Sequence, residues 1–185
     1  MIICAQANPS DIDTIVALVN ASYRGESSRA GWTTEADWVE GLRTDPEHTR
    51  QLLTGPNSVI LLARRNQQVL GSILLEYLAS QHAAAIGMFA VQPKQQNQGI
   101  GKQLLAYAER FACQQWAVQR LQLQVIPWRT ELIAFYIRRG YCHTEHSEPF
   151  PHHPLLWRAK CAGLTLITLE KIVGCDTDTK YASRL

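Results

Sequence analysis

The segment Gln96-Asn97-Gln98-Gly99-Ile100-Gly101-Lys102 has the residue types to bind a phosphate group. It follows the apolar run Gly87 to Val91 and Pro93, and it opens a stretch, Ile100 to Gln115, in which Leu104, Leu105, Ala108, Phe111 and Ala112 recur at helical spacing. The first amides of a helix have no carbonyl partner inside the helix, and the helix dipole makes that end positive. Glycine at 99 and 101 lets the backbone approach an anion with no Cβ in the way, and Lys102 adds a charge at the rim. A lone pair of glycines can equally serve packing, so the flanking positions decide what kind of loop this is. A nucleoside-triphosphate loop needs glycine five residues before Gly101 and Ser or Thr after the lysine, where this chain has Gln96 and Gln103. The dinucleotide pattern GxGxxG is absent too.

The elements around this loop follow from periodicity. Ile2 to Ala5 reads as a strand, and Pro9-Ser10-Asp11 as the start of a helix with Ile12, Ile15, Val16 and Val19 on one face. Ser22 to Thr33 is too rich in Gly, Ser and Arg for regular structure; Thr34 is expected to cap a second helix through Trp38 and Leu42, and Asp45-Pro46 to start another. Ser58 to Ala63 and Val69 to Leu78 form a hairpin pattern, and Ala84 to Val91 a strand. Leu121 to Ile126 is a further strand, Glu131 to Arg139 a helix stopped by Gly140, and Leu164 to Ile172 a last strand. The order predicts a mixed α/β layered domain over residues 1–173, with a polar tail at 174–185.

On these residues the chain resembles the GNAT superfamily of acyl-CoA N-acetyltransferases. Gln96 to Gly101 is similar to the family's Gln/Arg-x-x-Gly-x-Gly/Ala motif, Gly87 to Val91 to its fourth strand, and Glu131 to Tyr141 to its helix-tyrosine-x-x-x-glycine-aromatic signature. The resemblance implies a mostly antiparallel central sheet flanked by helices, with the fourth and fifth strands splayed, and acetyl-CoA as cosubstrate. It implies that the backbone of Phe89, Ala90 and Val91 pairs with the pantetheine arm and that amides of Gln96, Asn97, Gln98, Gly99, Ile100, Gly101 and Lys102 hold the pyrophosphate. Tyr136 falls on the family's tyrosine, which implies a proton donor to the departing thiolate. Two positions depart from the pattern: Arg129 stands where many members have asparagine, and Ala85 where one branch has a strand glutamate, so the motif does not supply the general base.

The acceptor side is read from the residues near the implied cleft. The segments Tyr23 to Glu26, Gly31 to Glu35, Arg129 to Ile133 and Pro149-Phe150-Pro151 resemble patterns of a bacterial GNAT subgroup. Glu26 and Glu35 are candidates to hold an amine, Trp32 and Phe150 to wall it, and Glu76, with His82 or water as alternatives, to take its proton. The expected reaction is acetyl transfer to the primary amine of a small molecule in a ternary complex; a peptide N-terminus or lysine as acceptor, or a non-catalytic CoA-binding module, are the alternatives.

Bulk properties narrow the partners. A net charge of +2 from 18 basic and 16 acidic residues, scattered along the chain, argues against nucleic acid. No basic segment precedes an apolar stretch at the N-terminus and no run is apolar enough to span a membrane, so a cytoplasmic protein is expected, with a homodimer compatible. Five cysteines without a CxxC pair suggest no disulfide framework. His143, His146, His152 and His153 match no compact zinc spacing, and no metal is expected.

Overall fold

The computed structural model describes residues 1–174; most of the expected C-terminal tail therefore lies outside the described residues. Seven strands form one sheet in the order β1 (Ile3–Gln6), β3 (Ser58–Arg65), β4 (Gln68–Leu78), β5 (Ala83–Val91), β6 (Arg120–Val125), β9 (Thr165–Ile172), β7 (Cys142–Pro149). All neighbours are antiparallel except β5 and β6, which run parallel. The helices are α1 (Ile12–Tyr23), the single turn α2 (Gly25–Ser28), α3 (Pro46–Thr54), α4 (Ile100–Trp116) and α5 (Thr130–Ile137). The mixed, mostly antiparallel sheet between helices agrees with the sequence reading.

Alternation along the strands builds a core on each face of the sheet. Val59, Leu61 and Ala63 of β3 face α4, packing with Leu104, Leu105 and Ala108, whereas Ile60 and Leu62 face α1 and meet Ile15, Leu18 and Val19. Both faces are covered, which is why these strands read as continuous apolar runs rather than alternating ones. The helix starts use the expected chemistry: the Asp45 side chain accepts from the His48 N–H at 2.7 Å with Pro46 at the first helical position. Ahead of α1, Asn8 caps a short 3₁₀ turn at Pro9–Asp11.

The feature that matters for function is where β5 and β6 part. They pair only from Ala83 to Ile86 against Arg120 to Leu123, yet β5 continues to Val91. A register irregularity between Ser72 and Leu74 of β4 lies opposite Met88, which has φ +42°. Such a bulge bends a strand and strengthens its twist. Beyond it β5 leaves β6, and a gap opens between them.

One expectation fails and one strand was not foreseen. The helix after Thr34 does not form: residues 34–35 are irregular, 36–38 make a turn, and β2 (Val39–Gly41) pairs with β8 (Trp157–Ala159). Here tertiary contacts override local spacing. Val39 buries against Ile126, Leu164 and Leu166, and Gly41, at φ +93°, lies so close to the Leu156 carbonyl that a Cβ would stand 2.1 Å from its oxygen. Strand β7 is the second difference. Its sequence, CHTEHSEP, is nearly all polar because it is an edge strand with mostly exposed side chains, held by its backbone pairing to β9.

Candidate active site

Two cavities open on either side of the β5–β6 gap, of about 830 and about 790 Å³, and they share Phe89 and Leu132 as lining residues. Phe89 comes from the free end of β5 and Leu132 from the first turns of α5, so the gap is where the two chambers meet.

The first cavity surrounds the N-terminus of α4. Gly99 is its N-cap in the left-handed conformation, φ +78°, which glycine adopts without strain. Gly101 faces Phe89, Val91 and Phe135; a Cβ there would meet their side chains at 3.5–3.9 Å, an ordinary contact, so the bare backbone is not a packing requirement. Lys102, Arg138 and Arg139 line this cavity against the single carboxylate of Glu131. Open helix amides and a cationic surround suit a polyphosphate. Two buried donors, Trp32 Nε1 and Arg139 Nε, have no partner among the described residues.

Of the residues expected to bind coenzyme, Phe89, Val91, Gln96, Asn97, Gly99, Ile100, Gly101 and Lys102 line this cavity, while Ala90 and Gln98 do not. The Gln92 N–H donates to Leu70 of β4, so alternation turns the backbone of Val91 and Phe89 away from β4 toward the gap. Their carbonyls are engaged: Phe89 accepts from the Tyr23 hydroxyl at 2.9 Å, and Val91 accepts from Gln96 Nε2 at 3.1 Å. What the strand end can offer a ligand is its N–H groups. The Gln96 side chain also donates to Thr33 Oγ1 at 3.2 Å and accepts from the Trp32 N–H at 3.0 Å, so it ties the loop of residues 31–33 to the end of β5.

The second cavity is lined by Tyr136, Glu76, Glu35 and Phe150, four of the expected residues, together with Tyr23, Arg24, Arg43, Arg129 and Trp157. Tyr136 is buried against Phe89, Phe135 and Tyr141, with ring centroids 6.3, 5.3 and 5.4 Å away. Its hydroxyl makes no hydrogen bond among the described residues, and burial pushes its pKa far above that of an ordinary phenol. It therefore stays protonated across any working pH. Glu76 is an exposed residue of β4, paired across the strands with Ala85.

The remaining acceptor candidates fall differently. Glu26 lines neither cavity and pairs on the surface with Arg29 at 3.0 Å. Trp32 lines the first cavity, its ring tilted against that of Phe135 with centroids 5.5 Å apart, and so is not opposite Phe150. Glu35 is buried, with Arg24 at 2.6 Å from one oxygen and Arg129 at 2.7 Å from the other. Burial alone would raise its pKa, but Arg129, Arg24 and Arg43 outweigh that and hold it below the usual carboxylate range. Arg129 also donates to the Thr33 carbonyl at 2.7 Å, so the residue standing in place of the family's asparagine anchors the start of α5 to the loop after α2. Tyr23 and Arg24 belong to a segment read for the acceptor side, but neither was given a role there, and Arg43 was not singled out at all; only the fold brings the three to one wall.

A sheet split at its centre, with a helix start suited to an anion on one side and a polar chamber on the other, has room for two substrates that meet at the gap. Residues 12–141 match the model of the acetyltransferase (GNAT) family, and the chain belongs to that family. It is an acyl-CoA-dependent N-acetyltransferase, and acetyl-CoA is its cosubstrate. Solved structures share the fold at low identity. The ribosomal-protein-alanine N-acetyltransferase from Brucella melitensis has a TM-score of 0.68 at 21% identity, over 92% of this chain and 99% of that one. The ribosomal-protein-S18-alanine N-acetyltransferase from Escherichia coli reaches 0.69 at 14% identity, over 98% and 99%. The PaiA N-acetyltransferase from Thermoplasma acidophilum, in complex with coenzyme A, reaches 0.67 at 17% identity, over 94% and 99%. No curated protein matches the chain by sequence. Among the described residues no helix is long and apolar enough to cross a membrane.

Proposed function

We propose that this enzyme transfers the acetyl group of acetyl-CoA to the primary amine of a small molecule, by direct attack with both substrates bound. The observation that carries the reading is the pair of cavities meeting at Phe89 and Leu132. An acyl donor along the end of β5 and an amine in the second chamber reach each other at that point, and proximity then supplies much of the rate. The second chamber, about 790 Å³, has the size of a small-molecule site, and Phe150 and Pro151 after β7 with Trp157 at the start of β8 form part of its wall.

In this reading the amides of residues 96–102 hold the pyrophosphate and the N–H groups at the end of β5 stabilise the oxyanion. Glu76, or a water it holds, accepts the proton of the attacking amine. As the C–N bond forms and the C–S bond breaks, the Tyr136 hydroxyl gives its proton to the thiolate. Glu35 acts through Arg24 and Arg129, since both of its oxygens are committed to them. The test is free-thiol release from acetyl-CoA across a panel of small amines and short peptides. Turnover of small amines supports the reading; turnover confined to peptides overturns the small-molecule acceptor.

A further inference from the structure

One guanidinium in the acceptor chamber has no ion-pair partner among the described residues and feels Glu35 only at longer range. Arg43 is half-buried in the chamber wall, its guanidinium carbon 5.7 Å from the centre of the Tyr23 ring and 5.4 Å from that of Trp157. Among the described residues no carboxylate forms an ion pair with it and no acceptor takes a hydrogen bond from its side chain. Its position is nonetheless fixed. The Arg43 N–H donates to Asn20 Oδ1 at 2.7 Å, and Asn20 Nδ2 donates to the Thr44 carbonyl at 2.9 Å, fastening this stretch to α1. Contact with two aromatic rings holds the cation while its N–H groups stay available to a planar, bidentate acceptor.

The same wall strengthens the positive field. Arg24 and Arg129 are only 6% and 7% exposed and share Glu35, so three guanidinium groups face one carboxylate, a formal excess of two positive charges. Arg24 spends Nη1 on Glu35 and on the Tyr23 carbonyl, and its Nη2 has no partner among the described residues. The chamber's other carboxylates come from the sheet: Glu76 of β4, Glu148 of β7 and Glu170 of β9. Glu148 accepts from Gln124 at 2.7 Å and pairs with His146 at 3.4 Å, and Glu170 pairs with Arg120 at 3.5 Å, so neither neutralises Arg43. The chamber is thus bipolar, cationic on the helix side and acidic on the sheet side.

We infer that the acceptor carries a carboxylate as well as its amine, an amino-acid-like small molecule whose carboxylate is held by Arg43 while its amine reaches the junction at Phe89 and Leu132. This rests on the small-amine reading above. Arg43 is then a specificity-determining residue: it selects among amines without touching the reacting atoms.

The test compares carboxylate-bearing amines with their decarboxylated counterparts (tryptophan with tryptamine, lysine with cadaverine, and so on through the protein amino acids), reading kcat/KM by thiol release. The wild type should favour the carboxylate partner of at least one pair by about ten- to a hundredfold, the worth of a charge-assisted hydrogen-bonded pair. Arg43→Gln should remove that preference through KM, and Arg43→Lys should restore part of it. Titration with acetyl-CoA should give the same affinity in all three forms, because Arg43 lines only the acceptor chamber. If no pair favours the carboxylate, or if Arg43→Gln keeps the preference, the inference is wrong while the transferase reading stands. If acetyl-CoA does not bind the wild type, both fall together.

Discussion

Replacing Glu35 with Gln isolates the electrostatic strut of the acceptor wall. Glu35 is 8% exposed, and its carboxylate bridges Arg24 and Arg129 at 2.6 and 2.7 Å, both of them buried. The amide keeps the shape but removes the charge, leaving two buried guanidinium groups facing each other without compensation. Breaking a buried pair in this way costs about 3–5 kcal/mol. For a chain of this size each kcal/mol moves the melting temperature by about 2–4 °C, so a fall of roughly 6–20 °C is expected at neutral pH. The pH dependence follows from the depressed Glu35 pKa. A carboxylate whose folded pKa lies below its unfolded value, about 4.3, contributes stability that is present above that value and lost as pH falls through the folded pKa. The gap between wild type and Glu35→Gln should therefore be constant from pH 5 to 8, within about a degree, and shrink below about pH 4. Thermal melts followed by circular dichroism across that range measure it. A loss under about 3 °C at pH 7, or a gap that widens in acid, would refute the reasoning that the carboxylate compensates two buried cations.

Tyr136→Phe should keep the aromatic packing with Phe89, Phe135 and Tyr141, and it removes a hydroxyl with no protein partner among the described residues. Its melting temperature should stay near wild type while kcat falls by about ten- to a thousandfold; equal turnover in both forms would make it a packing residue only. Glu76→Gln should lower kcat and flatten the acidic limb of the pH–rate profile with coenzyme affinity unchanged, and an unaltered limb would pass the base role to water.

How much of this was readable from the chain depends on whether the signal is local. The loop from Gln96 to Lys102 and the helix carrying Tyr136 announce themselves because helix-start chemistry and apolar period are local properties, and the strands of the central sheet are legible as apolar runs. The failures are tertiary. Residues 34–42 carry helical spacing, yet Trp38 and Val39 find their partners in Phe150, Leu164 and Leu166, far along the chain, and β8 turns the segment into a strand. Strand β7 hides because an exposed edge needs no apolar face. Glu35 looked like a solvated carboxylate available to an amine, since nothing nearby in sequence shows that Arg129 closes over it, 94 residues away. Gln96 shows the same limit in a motif residue: the pattern marks the position, whereas the fold shows its side chain clasping Thr33 and the end of β5.

The account stands or falls on coenzyme binding at the start of α4, and calorimetric titration of acetyl-CoA into the wild type and Gly101→Asp tests it most directly. The protein itself leaves room for a side chain at this position, with ordinary contacts to Phe89, Val91 and Phe135, and Asp in the first turn of a helix favours folding. A folded variant is therefore expected, confirmed by an unchanged circular dichroism spectrum. In that folded variant the carboxylate stands among the amides that would hold the pyrophosphate, so acetyl-CoA should bind the wild type and fail to bind Gly101→Asp at any accessible concentration. Equal affinity in the two proteins would contradict the placement of the coenzyme in this cavity.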